Sequence, residues 1–275
     1  MVKEHRSVLT FLLFTSSNHY VINCFQLPIK IDIIKHRREI DGKSTSGHAA
    51  IIAPDDVKVY TYPDIPNYDR NNTVLIYPSS SAVEVHKLFD SNFEYCVDTK
   101  VGDFIQLPKG FNATTLMKRS STDTKNVAID IGNVKTLPVT KAVFIDSTWN
   151  QSNGIYKDER LKKLKCVVLQ NRTSQFWRHQ KGSPRWYLAT VEAIHQFAVE
   201  MHLCVWGVRP EYEGLSRCFR QNVLECFNNL GIKNESKNAY FGQYDDLLFF
   251  FKHFYRLIHD YYDHDELYAY KRRLE

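Results

Sequence analysis

Short apolar runs that end in polar turns alternate along this chain with longer helical patterns, and this alternation constrains its fold more than any other feature. Val74–Tyr77 (VLIY) stops at a proline and three serines, and Lys141–Ile145 (KAVFI) leads directly into Asp146. Continuous apolar runs of this length are typical of strands buried on both faces, as in parallel sheets. Because strands that alternate with helices indicate crossover units, the sequence predicts an α/β fold with a mostly parallel sheet flanked by helices.

Other elements follow from the spacing of apolar, β-branched and aromatic residues. Further strands are predicted at Leu27–Ile34, Val57–Tyr62 and Cys166–Leu169. Helices are predicted at Asn153–Leu164, Tyr187–Trp206 and Asp245–Tyr262, and His48–Ala53 fits either a short helix or a strand. The segment Asp245–Tyr262 is apolar on almost all sides, so we expect it to be well buried.

The chain has 275 residues, of which 43% are hydrophobic and 24% are charged. This composition is too apolar for general disorder and is sufficient for a buried core. We predict one main domain over residues 27–262, with flexible inserts at about 87–138 and 207–238, a helical C-terminal part and a tail at 263–275. Residues 1–26 are interpreted as an atypical, poorly ordered start, in which Ser7–Ser17 imitates a secretory signal but is too short to cross a bilayer as a helix.

The six cysteines are scattered, and no two of them form a C-x-x-C pair. The sequence therefore predicts neither a structural zinc site nor a disulfide scaffold, and we interpret the cysteines as reduced thiols of an intracellular protein. No metal is expected. The formal net charge of +5 favours an acidic partner such as nucleic acid only slightly.

Candidate ligand-binding residues follow the predicted strand Lys141–Ile145. Asp146, Thr148 and Trp149 stand where ligands of open α/β sheets bind, beyond the carboxyl end of a strand. Asp146 is suited to bind a ligand amine or to accept a proton, and Thr148 is suited to donate to a ligand carboxylate. Trp149 is suited either to stack on a base or to pack in the core. The alternative is a helix N-cap, because Asp, Ser and Thr satisfy the free amides at a helix start.

A second candidate set lies near the start of the long helix predicted after Tyr187. Thr190 and Glu192 fall in its first turns, where amides point outward and the helix dipole favours an anion such as an amino-acid carboxylate. A capping arrangement is again the alternative. We expect this helix start and the strand end at Asp146 to come together around one ligand.

A third feature is the absence of acidic residues from Leu161 to Arg185, a stretch that also contains interleaved aromatic residues. Lysines and arginines supply phosphate contacts and exposed rings hold unstacked bases, so the stretch suits RNA. A solvated surface with aromatic residues in the core is an equal alternative. The basic residues are Lys162, Lys163, Lys165, Arg172, Arg178, Lys181 and Arg185.

Together these segments resemble the DTW-domain proteins, a family of tRNA-uridine aminocarboxypropyltransferases related to SPOUT-type knotted methyltransferases, and in particular the eukaryotic type-one branch of that family. The Asp-x-Thr-Trp motif at Asp146 is accompanied, in order from Ile31 to Phe250, by the blocks IDIIKHRREIDGKST, YTYPDIP, DSTWNQ, DERL, FWRHQKG, LATVEAI and GQYDDLLFF. Two departures stand out. The family's N-terminal cysteine-rich zinc element is replaced by an apolar start that keeps only Cys24, and Ala189 replaces a usual serine.

The resemblance implies transfer of the 3-amino-3-carboxypropyl group of S-adenosylmethionine to N3 of a uridine in the tRNA D-loop, with 5′-methylthioadenosine as by-product. It also implies a SPOUT-like knotted core and a nuclear or cytosolic location. tRNA and S-adenosylmethionine are the implied partners, and neither a membrane nor an obligate protein partner is expected. Two alternatives stay open: a SPOUT-type RNA methyltransferase, which would release adenosylhomocysteine, and a catalytically inactive tRNA-binding module.

The resemblance also suggests roles for the candidate residues. We expect Asp146 to be the base that helps to remove the uridine N3 proton. Cofactor binding is expected of Asp146, Thr148, Trp149, Thr190 and Glu192, with the hydroxyls on the cofactor carboxylate and the acid on its ammonium. RNA contacts are expected of Arg178, His179, Lys181, Lys162 and Lys163, although Arg178 is equally suited to the cofactor carboxylate.

Overall fold

The computed structural model describes residues 10–15, 18–23, 26–39, 42, 44–89, 137–169, 174–177, 187–209, 211–212 and 238–261. The predicted tail lies outside these residues, as do most of the two predicted inserts. Arg178, His179 and Lys181 lie outside them as well.

Six parallel strands form the central sheet, in the spatial order β4–β3–β7–β5–β8–β6. They are β3 (Lys30–Lys35), β4 (Val57–Thr61), β5 (Thr73–Ile76), β6 (Val83–Glu84), β7 (Lys141–Asp146) and β8 (Lys165–Val168). Two further strands, β1 (Thr10–Thr15) and β2 (Asn18–Asn23), form a separate antiparallel pair. The predicted α/β class with a mostly parallel sheet is confirmed.

The helices are α1 (Ser46–Ile52), α2 (Trp149–Tyr156), α3 (Glu159–Lys162), α4 (Thr190–Trp206) and α5 (Phe249–Tyr261). Two 3-10 turns cover Val85–Phe89 and Asp245–Leu248. The ambiguous segment at His48–Ala53 is therefore helical. The prediction of one helix over Asn153–Leu164 is wrong, because the chain breaks between α2 and α3 at Lys157 and Asp158, and the Asp158 side chain caps the second helix.

The helices cover both faces of the sheet, since successive residues of a strand point to opposite sides. On one face, Ile33 and Phe144 pack in a core with residues of α1, α4 and α5. On the other face, Ile34 and Val143 pack in a second core with residues of α2 and α3. The result is a three-layer α/β arrangement. Because the paths through residues 90–136 and 178–186 lie outside the described part, the SPOUT-like knot stays a prediction.

Helix α4 is buried on all sides, beyond the single apolar stripe that the sequence predicts; only Thr190 and Ala193 are partly exposed. Two of its buried histidines bond to the C-terminal part of the chain. His195 Nε2 lies 3.0 Å from Asp245 Oδ1, and His202 Nδ1 lies 2.9 Å from the Tyr244 hydroxyl. Burial lowers the pKa of His202 to about 4, so its imidazole is neutral at pH 7. These bonds fix the C-terminal segment against the central helix.

The prediction that Asp245–Tyr262 is a well-buried helix is wrong. The segment begins with a 3-10 turn, and α5 buries Phe251 while Lys252, Phe254, Arg256 and Tyr261 are exposed. Its charged residues keep one side of the helix in water, so only one stripe packs on the core. Among the described residues, no helix combines the length and the apolar character that a membrane crossing requires.

The cap of α3 is expected to give a pH-dependent contribution to stability. Arg160 Nε and Nη2 donate to Asp158 at 2.9 and 2.7 Å, and these bonds lower the pKa of Asp158 from 3.8 to about 2 against the opposing effect of burial. A lowered pKa in the folded state means stabilisation that is complete above about pH 4 and is lost as the pH falls towards 2. We expect Asp158→Asn to lower the free energy of unfolding at pH 7 by about 1 kcal/mol.

Urea unfolding of wild type and variant between pH 7 and pH 3 measures this effect, and the difference is expected to shrink as the pH falls below 4. Glu159→Gln is the matched control, because Glu159 is 87% exposed and its ion pair with Lys162 is long, at 4.0 Å. Removal of the Glu159 charge is expected to change the free energy of unfolding little. A difference for Asp158→Asn that stays the same at both ends of this range would contradict the expectation.

Candidate active site

The carboxyl ends of β3 and β7 lie side by side, at the point where the direction of the chain across the sheet reverses, and we call the region beyond these two strand ends the crevice. β3 leads through α1 to β4 on one side, whereas β7 leads through α2 and α3 to β8 on the other side. These connections run over opposite faces of the sheet. Parallel α/β sheets bind their ligands at such reversal points. The backbone amide of His36 donates to the Asp146 carbonyl at 3.0 Å, so the two strand ends stay paired at the edge of the crevice.

Asp146 is the centre of the site and joins three segments of the chain. Its side chain lies at the end of β7, and the residue is only 6% exposed. Oδ1 accepts a hydrogen bond from Thr190 Oγ1 at 2.6 Å, and Oδ2 accepts one from Ser44 Oγ at 2.5 Å. The strand end at Asp146 and the helix start at Thr190 therefore meet directly, as the sequence predicts.

The hydroxyl protons of Ser44 and Thr190 both point at Asp146. A hydroxyl has one proton and an ionised carboxylate has none, so Ser44 and Thr190 are the donors. Because Ser44 gives its proton to Asp146, Ser46 Oγ must donate in its 2.6 Å bond to Ser44 Oγ. Among the described residues each Asp146 oxygen accepts one hydroxyl bond, which leaves its second lone pair for a ligand. The Thr190 proton is not available for a ligand carboxylate while this bond exists.

Thr45 connects the start of α1 to the start of α4. Its buried Oγ1 accepts a hydrogen bond from the backbone amide of Val191 at 3.1 Å and so satisfies one of the free amides of the helix. Ser44 and Thr45 have no individual role in the sequence-based assignment. What could have indicated them is their position: they are hydroxyl residues in the loop between β3, which lies beside β7, and α1.

Glu192 is completely buried, and both of its carboxylate oxygens accept hydrogen bonds from neighbouring segments of the chain. Oε1 accepts a hydrogen bond from the Gln175 amide at 2.9 Å, and Oε2 accepts bonds from Ser174 Oγ at 2.6 Å and the Ala189 amide at 2.9 Å. Glu192 therefore caps α4 and anchors residues 174–177 beside it. This geometry favours the capping alternative for Glu192 over a contact with a ligand ammonium.

Comparison with known proteins identifies the family. The family model of the DTW domain matches residues 17–259. The chain belongs to the DTW-domain family. The resemblance found in the sequence motifs is thereby confirmed, and the Asp-x-Thr-Trp motif of this DTW domain is the one that begins at the buried Asp146.

Curated relatives align with this DTW-domain protein over most of its length. tRNA-uridine aminocarboxypropyltransferase 1 of Mus musculus is 37% identical over 242 residues, which cover 86% of this chain and 67% of the relative. The Rattus norvegicus protein of the same name is 37% identical over 238 residues, covering 85% and 66%. The Homo sapiens protein is 35% identical over 233 residues, covering 84% and 65%. The chain thus spans about two thirds of these relatives, and no solved structure matches it.

The other motif residues of the DTW domain lie around the start of α2. Thr148 is exposed and is the N-cap residue of α2, as the capping alternative predicts; the bond present is donated by its backbone amide to Gln151 Oε1 at 3.2 Å. Trp149 is the first residue of α2, and its side chain lies outside the described part. No group of three or more histidines, cysteines or acids within the described ranges is arranged to hold a metal ion.

The described residues of the basic stretch do not line the crevice. Phe176 and Trp177 pack on each other and on Phe251, with ring centroids 5.0 to 6.3 Å apart, so they contribute to the core. Lys162 and Lys163 are exposed and precede β8 at the opposite edge of the sheet. Lys165, the first residue of β8, pairs with Val74 of β5, which in turn pairs with Ala142 of β7. This end of the sheet therefore lies four residues before Asp146, or about 13 Å along the strands.

Proposed function

We propose that this DTW-domain protein is a tRNA-uridine aminocarboxypropyltransferase, the activity that its curated relatives are named for. The observation that supports the proposal most is the buried Asp146 carboxylate, which Thr190 and Ser44 hold at the crevice between β3 and β7. An anionic group with open lone pairs suits a cationic ligand that carries an ammonium group. The transferase function and enzyme class predicted from the sequence agree with the names of these relatives.

We further propose S-adenosylmethionine as the donor, because an aminocarboxypropyl group is its characteristic side chain. When bound, it supplies an electrophilic methylene next to a positively charged sulfonium. The residues of the crevice fit such a molecule, since a carboxylate and several hydroxyls are present at a reversal point of the sheet. Within the proposal, uridine N3 forms the new bond to this methylene, the carbon–sulfur bond breaks, and the N3 proton leaves to a base or a hydrogen-bonded water.

The geometry suggests how Asp146 takes part. Two hydroxyls already donate to the Asp146 oxygens and hold the carboxylate in one position. A carboxylate held in this way is better suited to bind the donor's ammonium than to remove a proton. We therefore propose that Asp146 positions the donor, and that the alignment of donor and uridine provides much of the acceleration. The role as base stays a prediction that the Asp146 variants described below distinguish.

RNA binding is proposed for the basic residues Arg178, His179, Lys181, Lys162 and Lys163. The exposure of Lys162 and Lys163 agrees with contacts to phosphates, and a tRNA is large enough to reach both edges of the sheet. Transfer to N3 of a uridine in the D-loop, the knotted path of the chain and a nuclear or cytosolic location also remain proposals that the family resemblance suggests.

Removal of the Thr190 hydroxyl is expected to weaken the proposed activity. Thr190→Val keeps the shape of the side chain but loses the 2.6 Å bond to Asp146, so the carboxylate is less firmly held. We expect kcat/KM for tRNA modification to fall about 10-fold, the effect of one hydrogen bond to a charged group. Thr190→Ser, which keeps the hydroxyl, is the control and should stay close to wild type. Equal activity of the Val and Ser variants would contradict this role.

The proposed function is tested by incubating the protein with unmodified tRNA and labelled S-adenosylmethionine, followed by mass analysis of the nucleosides and the by-product. A uridine that gains an aminocarboxypropyl group, with 5′-methylthioadenosine released, supports the proposal. A methylated base with adenosylhomocysteine would instead show the methyltransferase alternative. Binding of tRNA without any modification would show the inactive module.

A further inference from the structure

Lys35 lies directly beside Asp146 at the carboxyl edge of the sheet. The two residues are register partners in the parallel pair β3–β7. Residues opposite each other on neighbouring parallel strands point to the same face, and neighbouring strands are about 4.8 Å apart. The alternation along both strands agrees, because Ile33 and Phe144 belong to the core on the α1 and α4 face, whereas Ile34 belongs to the other core. A lysine and an aspartate thus stand side by side on the face that carries Thr190.

This pair matches the charges of the group that the proposed reaction transfers. The aminocarboxypropyl group carries an ammonium and a carboxylate on the same carbon atom. Asp146 offers open lone pairs to the ammonium, as described above. The carboxylate needs a donor, and the protons of Ser44 and Thr190 are already directed at Asp146. Lys35 is partly exposed and is the basic residue that the sheet register places next to Asp146.

We propose that Lys35 binds the carboxylate of the aminocarboxypropyl group while Asp146 binds its ammonium. The inference rests on the proposed function, because it assumes S-adenosylmethionine as the donor. An ammonium that bears three donors on a flexible stem suits a carboxylate bound beside the neighbouring strand. The pair would select ligands that carry a complete amino-acid end and reject those that lack either charge.

Titration calorimetry with three ligands tests the proposal on the full chain. The ligands are S-adenosylmethionine, its decarboxylated form, which lacks only the carboxylate, and 5′-methylthioadenosine, which lacks the whole transferred group. Wild type is expected to bind S-adenosylmethionine about ten-fold or more tightly than the decarboxylated form. Lys35→Met is expected to bind these two ligands equally and to bind 5′-methylthioadenosine as wild type does. Lys35→Arg, which keeps the charge, should keep most of the discrimination.

Lys58→Met is the matched control, because it removes an exposed lysine of β4 from the same sheet and should change none of the three affinities. The proposal is overturned if Lys35→Met still discriminates against the decarboxylated ligand as wild type does. It is also overturned if the variant loses affinity for 5′-methylthioadenosine to the same extent, since Lys35 would then support the whole pocket. Either result leaves the proposed function intact, provided that wild type modifies tRNA.

Discussion

Asp146→Asn is expected to reduce tRNA modification by at least about 100-fold, because the loss of one member of a buried ion pair costs about 3–5 kcal/mol. The substitution keeps the size of the side chain and removes its charge. The donor's ammonium then has no counter-charge, and the new amide turns a donor towards Ser44 or Thr190, which are donors themselves. Kinetics with saturating tRNA and varied S-adenosylmethionine, read out by nucleoside mass analysis, measure the effect.

The affinity of this variant for S-adenosylmethionine separates the two roles of Asp146. If Asp146 binds the ammonium, the affinity falls together with the activity. If Asp146 is instead the base, the affinity is retained and only turnover is lost. Asp55→Asn is the control, because Asp55 is an exposed aspartate that precedes β4 at the opposite edge of the sheet. Activity of Asp146→Asn within a few-fold of wild type would remove Asp146 from the site altogether.

Glu192→Ala is expected to lower the free energy of unfolding by about 3 kcal/mol or more, because a buried donor left without an acceptor costs about 1–3 kcal/mol. The substitution removes the acceptor of three donors, namely the buried amide of Ala189 and two partly buried donors, Ser174 Oγ and the Gln175 amide, and it leaves a cavity where the buried side chain was. It also releases the segment that positions Trp177 against α5. Urea unfolding followed by circular dichroism at pH 7 measures the loss.

Two further variants serve as controls for the Glu192→Ala prediction. Glu192→Gln keeps one acceptor oxygen, so it is expected to fall between wild type and the alanine variant. Glu159→Ala removes an exposed glutamate and should leave the unfolding free energy nearly unchanged. If Glu192→Ala costs less than about 1 kcal/mol, the anchoring role of Glu192 is wrong and a contact with a ligand becomes the better explanation.

The sheet could be predicted because its strands are short apolar runs with abrupt polar ends. Val74–Tyr77 and Lys141–Ile145 correspond closely to β5 and β7, and each stops at the residues that turn the chain over the sheet edge. The order of the strands could not be predicted, since pairing of β3 with β7 depends on contacts between distant parts of the chain. The predicted burial of α5 is too high, because the exposed Lys252 and Arg256 separate its apolar residues and keep one side of the helix in water.

The residues of the candidate site also fall into those that the sequence predicts and those that only the fold brings together. Asp146 and Thr190 could be singled out because each stands at the end of an element, where strand ends and helix starts carry ligand chemistry. Ser44 and Lys35 lie near Asp146 only because β3 lies beside β7 and α1 begins beside α4, and no local pattern encodes these neighbours. For Glu192 the local rule was informative, since a glutamate three residues after the helix cap favours the capping bond that the structure contains.

A crystal structure of the protein with S-adenosylmethionine bound, without tRNA, tests most directly whether the carboxyl ends of β3 and β7 hold the amino-acid end of the donor. The ammonium nitrogen is predicted within about 3 Å of an Asp146 oxygen, with the ligand carboxylate on the side of Lys35. A donor seated at the other edge of the sheet, or one whose amino-acid end points away from Asp146 and Thr190, would contradict the account.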